Sequence, residues 1–426
     1  MKHTSIIPLI ALAITVSALA QPETSREILR NEMSKRPDDL WPRGEGHVVL
    51  AIPGSLEAEK SYLEPGGGFS PAFGAFGVSI WVTSKSADKT WSCDTLPLAA
   101  IRQSFVDGKA PSIVTKTDDY ELTHSINATG DSSIRVKNTS SAGNTLSLVV
   151  RSVGPAGNPV KKLSWDGTDL IINDNWHVAI SPKPDSVTMG DETQEGWKNL
   201  DGAVAQFTSE SGWGFARIRL GKGDYTVRMT TVAKSDRSPI GYDTMASTLK
   251  IQLPDERFAQ ALNAQVSHLM MGVVRDECRP GEPNNYPLPW LRDGAYQLLA
   301  LARAGQIDSA KTLARYFAKN DFFGGFGPEG DAPGLGIWGI MQVAYEVNDP
   351  SFYQELWTHV QRKVEWIRKM RTTKESIRLP ITCPVIGQTK RSPDGDLVCE
   401  AARDGLIIGR MDWHRPLLFA SSAEFV

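Results

Sequence analysis

The sequence predicts a multidomain β + α protein: an N-terminal antiparallel β-sandwich followed by a set of helical hairpins. Three observations lead there. Between residues 45 and 235 apolar residues come in short runs separated by clusters of Gly, Asn, Asp and Ser, the pattern of many strands joined by polar turns. After residue 255 the apolar spacing changes from two to about 3.6, the period of helices with one buried stripe. At 426 residues the chain also exceeds one ordinary domain, and two is the natural expectation.

Residues 1–20 read as a signal peptide. Lys2 and His3 form a polar start, Ile6 to Val16 is an apolar run broken by Pro8 and Thr15, and Ala18-Leu19-Ala20 is an A-x-A-like cleavage site before Gln21. The run is short for a membrane span, no Cys follows the cleavage site, and no later segment is apolar enough to cross a bilayer. The expectation is an exported protein, periplasmic or extracellular, with no membrane attachment after cleavage. Residues 21–44 are a polar N-terminal segment, helical over 23–36 and stopped by Pro37.

Residues 45–235 carry the strands. Val48–Ile52 suits a buried strand and Phe76–Thr83 mostly alternates, with comparable runs at 120–126, 134–137, 146–150, 176–180, 204–208, 215–220 and 225–232. Glu64-Pro65-Gly66-Gly67-Gly68-Phe69 interrupts them, either as a turn or as a loop reaching over a neighbouring site; it lacks the Gly-Lys-Ser/Thr of a phosphate loop. Residues 236–254 form a linker that ends at Pro254.

Residues 255–426 are helical. Phe258, Ala261, Leu262, Val266, Leu269, Met270 and Val273 make the first stripe. A second helix runs from the Trp290 region to Gly305, Asp308 caps a third, and a fourth covers about 333–346. Asp349 and Ser351 open a fifth, with Phe352, Leu356, Val360, Val364 and Ile367 on one face. Residues 372–410 read as strand-like pieces and turns, and a sixth helical pattern begins at Pro416. Alternate loops are long and carry Gly, Pro, Trp and acids, which suits helices packed in a ring with function gathered on one face.

Composition narrows the function. A net charge of −3 without a basic run gives no support to nucleic-acid binding. Twelve tryptophans suit a carbohydrate partner, and equally a large core. None of the four cysteines lies in a C-x-x-C pair, which argues against zinc, and no feature requires a metal or another cofactor. Cys383 and Cys399 flank one loop and either close it or stay reduced.

The chemistry concentrates in Pro287-Leu288-Pro289-Trp290-Leu291-Arg292-Asp293. Here an aromatic, a guanidinium and a carboxylate stand where the chain enters a helix. A ring can cover the apolar face of a pyranose while the charged pair donates to and accepts from its hydroxyls. An ordinary helix start is the competing explanation, with Trp290 as a hydrophobic staple and Asp293 on the helix dipole.

Trp290-Leu291-Arg292-Asp293, followed about forty residues later by Gly327-Pro328-Glu329-Gly330-Asp331-Ala332-Pro333-Gly334-Leu335, resembles the glucoamylase-type glycoside hydrolases of the six-hairpin glycosidase superfamily. These have a W-x-R-D opening to their second helix and an R-P-Q-x-D-G-P-A-L element opening their fourth. Glu329 stands in place of the Gln and Ala332-Pro333 in place of the Gly-Pro. Bacterial members also carry a large β-sandwich ahead of the helices, so the resemblance covers most of residues 45–426. It implies a supersandwich-like domain followed by a partial (α/α)6 barrel. It also implies an exo-acting, inverting hydrolase of an oligo- or polysaccharide. Arg292 and Asp293 would hold hydroxyls of the terminal sugar, with Trp290, Glu329 and Asp331 beside the same pocket. The family's general acid precedes its sixth helix in a Trp-Glu-Glu context; here the only carboxylate in that stretch is Asp412, and Trp413 follows it.

Inverting hydrolysis needs an acid and a base roughly 6.5–9.5 Å apart. Asp412 is the candidate acid, its pKa raised if Trp413 desolvates it, or else a helix-terminal charge paired with Arg410 or Arg415. Glu400 is the second candidate, and Trp413 also counts as a substrate-binding residue. Five helices and the start of a sixth follow residue 255, fewer than six hairpins require. The sequence is therefore expected to be a C-terminally truncated fragment with its base beyond Val426; the alternative is a half barrel with exposed apolar faces. A phosphorolytic relative and a non-catalytic glycan-binding protein are the rivals. A polysaccharide lyase would usually place its barrel first.

Overall fold

The structure, a computed structural model, describes residues 25–37, 39–43, 47–56, 59–106, 112–127, 130–202, 204–231, 251–279, 289–322, 330–379, 397–402, 405–407 and 409–411. The chain forms two compact units, Met1–Asp39 and Leu40–Val426. The first contains α1 (Ser25–Lys35), followed by an Arg36–Asp39 ion pair at 2.9 Å. Its polar sequence and the Pro37 stop agree with the expected short helix.

The second unit begins with strands. They are β1 (Val48–Leu50), β2 (Ser61–Leu63), β3 (Phe69–Ser70), β4 (Gly77–Ser84), β5 (Lys89–Ser92), β6 (Arg102–Val106), β7 (Ser112–Lys116), β8 (Tyr120–Ile126) and β9 (Ser132–Asn138). After them come β10 (Asn144–Arg151), β11 (Lys162–Trp165), β12 (Asp169–Ile172), β13 (Trp176–Ser181), β14 (Ser186–Asp191), β15 (Gln206–Thr208), β16 (Gly214–Leu220) and β17 (Gly223–Thr231). Among the described residues one sheet runs β1-β2-β3-β4-β10-β16-β14, with β5 beside β4, and the other runs β15-β11-β12-β13-β17-β9-β8-β7-β6. Their pairings are antiparallel, and one shared core joins them into the expected sandwich.

The two sheets read differently in sequence because they are covered differently. In the second, β8 alternates: Tyr120, Leu122, His124 and Ile126 are buried, and the residues between them are half-buried. In the first, both faces are covered. Val78, Ile80 and Val82 of β4 and Leu146, Leu148 and Val150 of β10 face the other sheet. Trp81, Val149 and Phe215 point the opposite way and cluster with Trp197. The period is still two, but both phases are apolar, which is what a strand buried on both sides requires.

That outer face holds a fully buried charge pair. Arg151 meets Glu192 in a fork, Nε–Oε1 at 3.0 Å and Nη2–Oε2 at 2.7 Å, and its third nitrogen donates to the Leu40 carbonyl. Trp41, Trp81 and Trp197 ring the guanidinium at 5.3–5.9 Å. The glycine loop is also internal. Pro65–Gly67 forms a 3-10 turn, Gly66 has φ of 89°, and Tyr120 Oη donates to its carbonyl at 2.7 Å. A Cβ at Gly66 would sit 2.5 Å from the Cys93 carbonyl oxygen. The stretch is a buried turn.

Helices follow: α2 (Glu256–Met271), the hairpin β18 (Val273–Val274) and β19 (Glu277–Cys278), then α3 (Leu291–Arg303), α4 (Ile307–Lys319), α5 (Ala332–Val347) and α6 (Pro350–Thr372). A small sheet of β20 (Ile377–Leu379), β21 (Leu397–Cys399) and β22 (Gly409–Met411) closes the described chain. The helices lie in two layers with alternate members parallel. Arg292–Asp331, Tyr296–Trp338 and Arg303–Glu346 align α3 with α5, start to start and end to end. Lys311–Asp349 and Arg315–Glu355 align α4 with α6 in the same way. Close approach explains two glycines: a Cβ at Gly339 of α5 would lie 3.1 Å from Ala295 Cβ of α3, and one at Gly294 would lie 2.1 Å from Phe317 Cζ of α4.

Three details differ from the sequence expectation. Asp308 lies inside the first turn of α4, and Gln306 holds the cap position. Phe258 and Leu262 on the first half of α2 are exposed, because only the second half packs, through Val266, Met270 and Met271. On α6 the exact 3.6 period turns Val364 outward and buries Lys363. Lys363 is accepted there because its ammonium meets Asp321 at 2.9 Å.

The sandwich and the helices meet at the end of α2. Lys60 is buried and donates to the carbonyls of Met271 (2.7 Å) and Val273 (3.1 Å). Gly54 bridges to Val274, and Met271 belongs to the sandwich core.

Candidate functional site

Both α3 and α5 begin at the same end of the helical layers, so the two sequence elements that open them converge there. Asp331 holds the cap position of α5, yet its side chain makes no cap bond and its backbone is already helical at φ −79°, ψ −15°. Pro333, two residues on, also has no N–H to offer. The carboxylate instead accepts from Arg292 Nη1 of α3 at 2.9 Å. Arg292 is 42 % exposed and Asp331 only 7 %, so the acid is held while part of the guanidinium reaches solvent.

Trp290 occupies the cap position of α3 and is only 5 % exposed. Asp293 lies half-buried in the first turn. Burial pushes up the pKa of the neighbouring Cys278 thiol, with the charges of Glu277 and then Asp293 adding to the effect. Glu329, Asp412 and Trp413 lie outside the described residues, as does Cys383. Glu400 is half-buried just after β21.

Glu400 stands at the same end of the helices as Arg292. The α4 chain leads through Phe322 towards the start of α5, and Phe322 packs with Met370, Cys399 and Ile407. Phe322 meets Trp366 edge-on at 5.2 Å and is wholly buried, so it serves packing there and is no open platform for a sugar.

Three further features stand near this end. Tyr296 and Trp338 pair across α3 and α5 with ring centroids 5.1 Å apart, and Tyr296 is 57 % exposed. The i, i+4 spacing of Arg292 and Tyr296 was the available signal. Asp321 joins Arg362 (2.7 Å) and Lys363 (2.9 Å). Burial alone would raise its carboxyl, but these two cations hold it below the usual range. Lys363 is lowered to about 8, chiefly by burial. Glu277 pairs with Arg279 at 2.8 Å, and burial pushes its carboxyl up. Among the described residues no group of three or more His, Cys, Asp or Glu side chains is placed to hold a metal ion, and no helix is long and apolar enough to cross a membrane. Cys93 and Cys278 are buried free thiols.

No protein-family model and no curated protein matches the sequence. Among solved structures, the fold resembles a bacterial glucoamylase complexed with acarbose, at 9 % identity over 79 % of this chain and 68 % of that one, with a TM-score of 0.38. It also resembles the family GH92 alpha-mannosidase from Bacteroides thetaiotaomicron, at 8 % identity over 83 % of this chain and 67 % of that one, with a TM-score of 0.34.

Proposed function

We propose that this is an exported carbohydrate-active protein that hydrolyses glycosidic bonds, exo-acting and inverting, with its sugar site at the start of α3 and α5. The observation that carries the reading is the Arg292–Asp331 pair at 2.9 Å. Two motifs about forty residues apart in sequence meet in one ion pair at a common helix end. Asp331 forgoes its cap bond to make it.

In this reading Arg292 supplies the positive charge beside the sugar, and Asp331 and Asp293 supply acceptors for its hydroxyls. Asp412 is the proposed general acid and Glu400 the second candidate; Trp290, Glu329 and Trp413 border the sugar. The test is release of reducing ends from neutral oligosaccharides by the natural gene product. Arg292→Ala should abolish release, and Asp412→Asn should abolish release while sparing binding. Binding without release in the parent protein would turn the reading to a non-catalytic glycan-binding protein.

A further inference from the structure

Lys363 is a buried cation that the reading above leaves without a task. It stands in the middle of α6, wholly buried, and its ammonium donates to the Asn320 carbonyl and, at 2.9 Å, to Asp321, where α4 ends. Its stem lies against α5: a Cβ at Gly336 would sit 3.3 Å from Lys363 Cε and 3.4 Å from Cδ. The same point would sit 3.2 Å from Leu291 Cδ2 of α3. Leu291 directly precedes Arg292, and Gly336 follows Asp331 by five residues. One side chain thus stands where the openings of α3 and α5 close on the end of α4. Charge balance alone does not call for it. Arg362 already meets Asp321 twice, at 2.7 and 3.0 Å, and also donates to the Ala318 carbonyl at 2.9 Å. An uncharged stem of the same length would fill the space without the cost of burying an ammonium.

We propose that Lys363 is a positioning residue of the sugar site, whose stem and ammonium together fix the openings that carry Arg292 and Asp331 against the end of α4. The inference rests on the sugar-site reading and adds a regulation to it. A recognition pair must be held to within about half an ångström by side chains that are themselves locked. Lys363 is locked along its stem by α5 and at its tip by two acceptors. The hold depends on charge, because a neutral amine loses the attraction to Asp321. Burial lowers Lys363 to about 8, against the opposing pull of Asp321. Among the described residues the charged groups about it are Asp321 on the α4 side and Arg362 on α6. His359 of α6 bonds to Arg362 at 2.8 Å, and α3 and α5 present Leu291 and Gly336. Against its burial, Asp321 is held low by the two cations, and His359 is lowered by burial and then by Arg362, so neither changes charge near pH 8. Sugar affinity should fall as pH rises through that value.

The test is calorimetric titration of the natural gene product with maltotriose, mannotriose and cellotriose at pH 7 and at pH 9, beside the thermal midpoint of each variant. Lys363→Met keeps the stem, removes the ammonium and leaves Asp321 its Arg362 partner. The expected result is parent binding that weakens roughly tenfold from pH 7 to pH 9. Lys363→Met should bind about as weakly at pH 7 as the parent does at pH 9, and show no pH dependence. Stability should move the other way. An unfolded lysine keeps its proton to near 10.4, so above about 8 the parent gains stability on Lys363→Met as pH rises. A role in packing alone would not weaken binding while the fold strengthens. Gly336→Ala, whose methyl would press on Leu291 and Lys363, should weaken binding several-fold with a midpoint within a few degrees of the parent. Should Lys363→Met fail to fold, the parent's pH profile and Gly336→Ala decide. Parent affinity equal at the two pH values, or full affinity in either variant, overturns the positioning role and leaves the sugar-site reading intact. Binding of none of the three sugars at either pH overturns the sugar-site reading and this inference with it.

Discussion

The Arg151–Glu192 pair of the sandwich is enclosed; the Arg292–Asp331 pair between α3 and α5 reaches solvent. Arg151 and Glu192 are both wholly buried, bonded twice to one another and ringed by three tryptophans. Arg292–Asp331, Arg303–Glu346 and Arg315–Glu355 instead stitch parallel helices together with one or both partners in contact with water. The difference separates two uses of an ion pair. A buried pair is costly to break because the survivor has lost its water, whereas an exposed pair contributes little stability.

The contrast breaks most visibly at Arg151. Arg151→Met should cost about 3–5 kcal/mol in urea unfolding, because Glu192 is left buried and unpaired. Arg151→Met combined with Glu192→Leu should recover most of that. A single-variant cost no larger than that of an exposed pair would erase the distinction. Next in size is Gly294→Ala, where the added Cβ meets Phe317 at 2.1 Å and the α3–α4 contact must open. A loss of about 1–3 kcal/mol is expected, read as a lowered thermal midpoint.

The junction between the two regions should respond to pH. Burial lowers the Lys60 ammonium to about 7, against the smaller opposing pull of Glu59 and Glu277. An unfolded lysine titrates near 10.4. Between those values the unfolded chain holds a proton that the native chain lacks, so stability rises with pH across that window. The cost of the buried charge is fully present below about 7. Comparing thermal midpoints of the parent and Lys60→Met between pH 7 and 10 should show the parent gaining on the variant as pH rises; parallel curves would place the ammonium in a solvated setting. The smallest stability effects belong to the pairs that reach solvent. Arg315→Ala, with both partners exposed, should cost under about 1 kcal/mol, and Arg292→Ala more, because it takes a partner from the buried Asp331 carboxylate. Only Arg292→Ala should remove carbohydrate binding, which sharpens the contrast between a stitch and a site.

Much of the fold was legible because its signals are local. The polar turns and period-two runs of β8 and β9 mark strands wherever they lie, and the stripes of α3 and α4 mark helices. Where legibility failed, a long-range partner had overruled the local pattern. Val364 completes an apolar stripe, yet Lys363 is the residue turned inward, because Asp321 waits there. Asp331 stands at the cap position of α5, and its carboxylate goes to Arg292.

The site divides along the same line. The sequence by itself determined the kinds of group available, an aromatic, a guanidinium and carboxylates at two helix openings, and the order of sandwich before helices. Tertiary structure alone decided that the two openings share one end, that Asp331 is held while part of Arg292 reaches solvent, and that Tyr296 and Trp338 pair across the same two helices. The physical reason is that helix and strand propensities act over a few residues. An ion pair 39 residues apart depends on the parallel packing of α3 and α5, which their glycine-lined contact makes close enough.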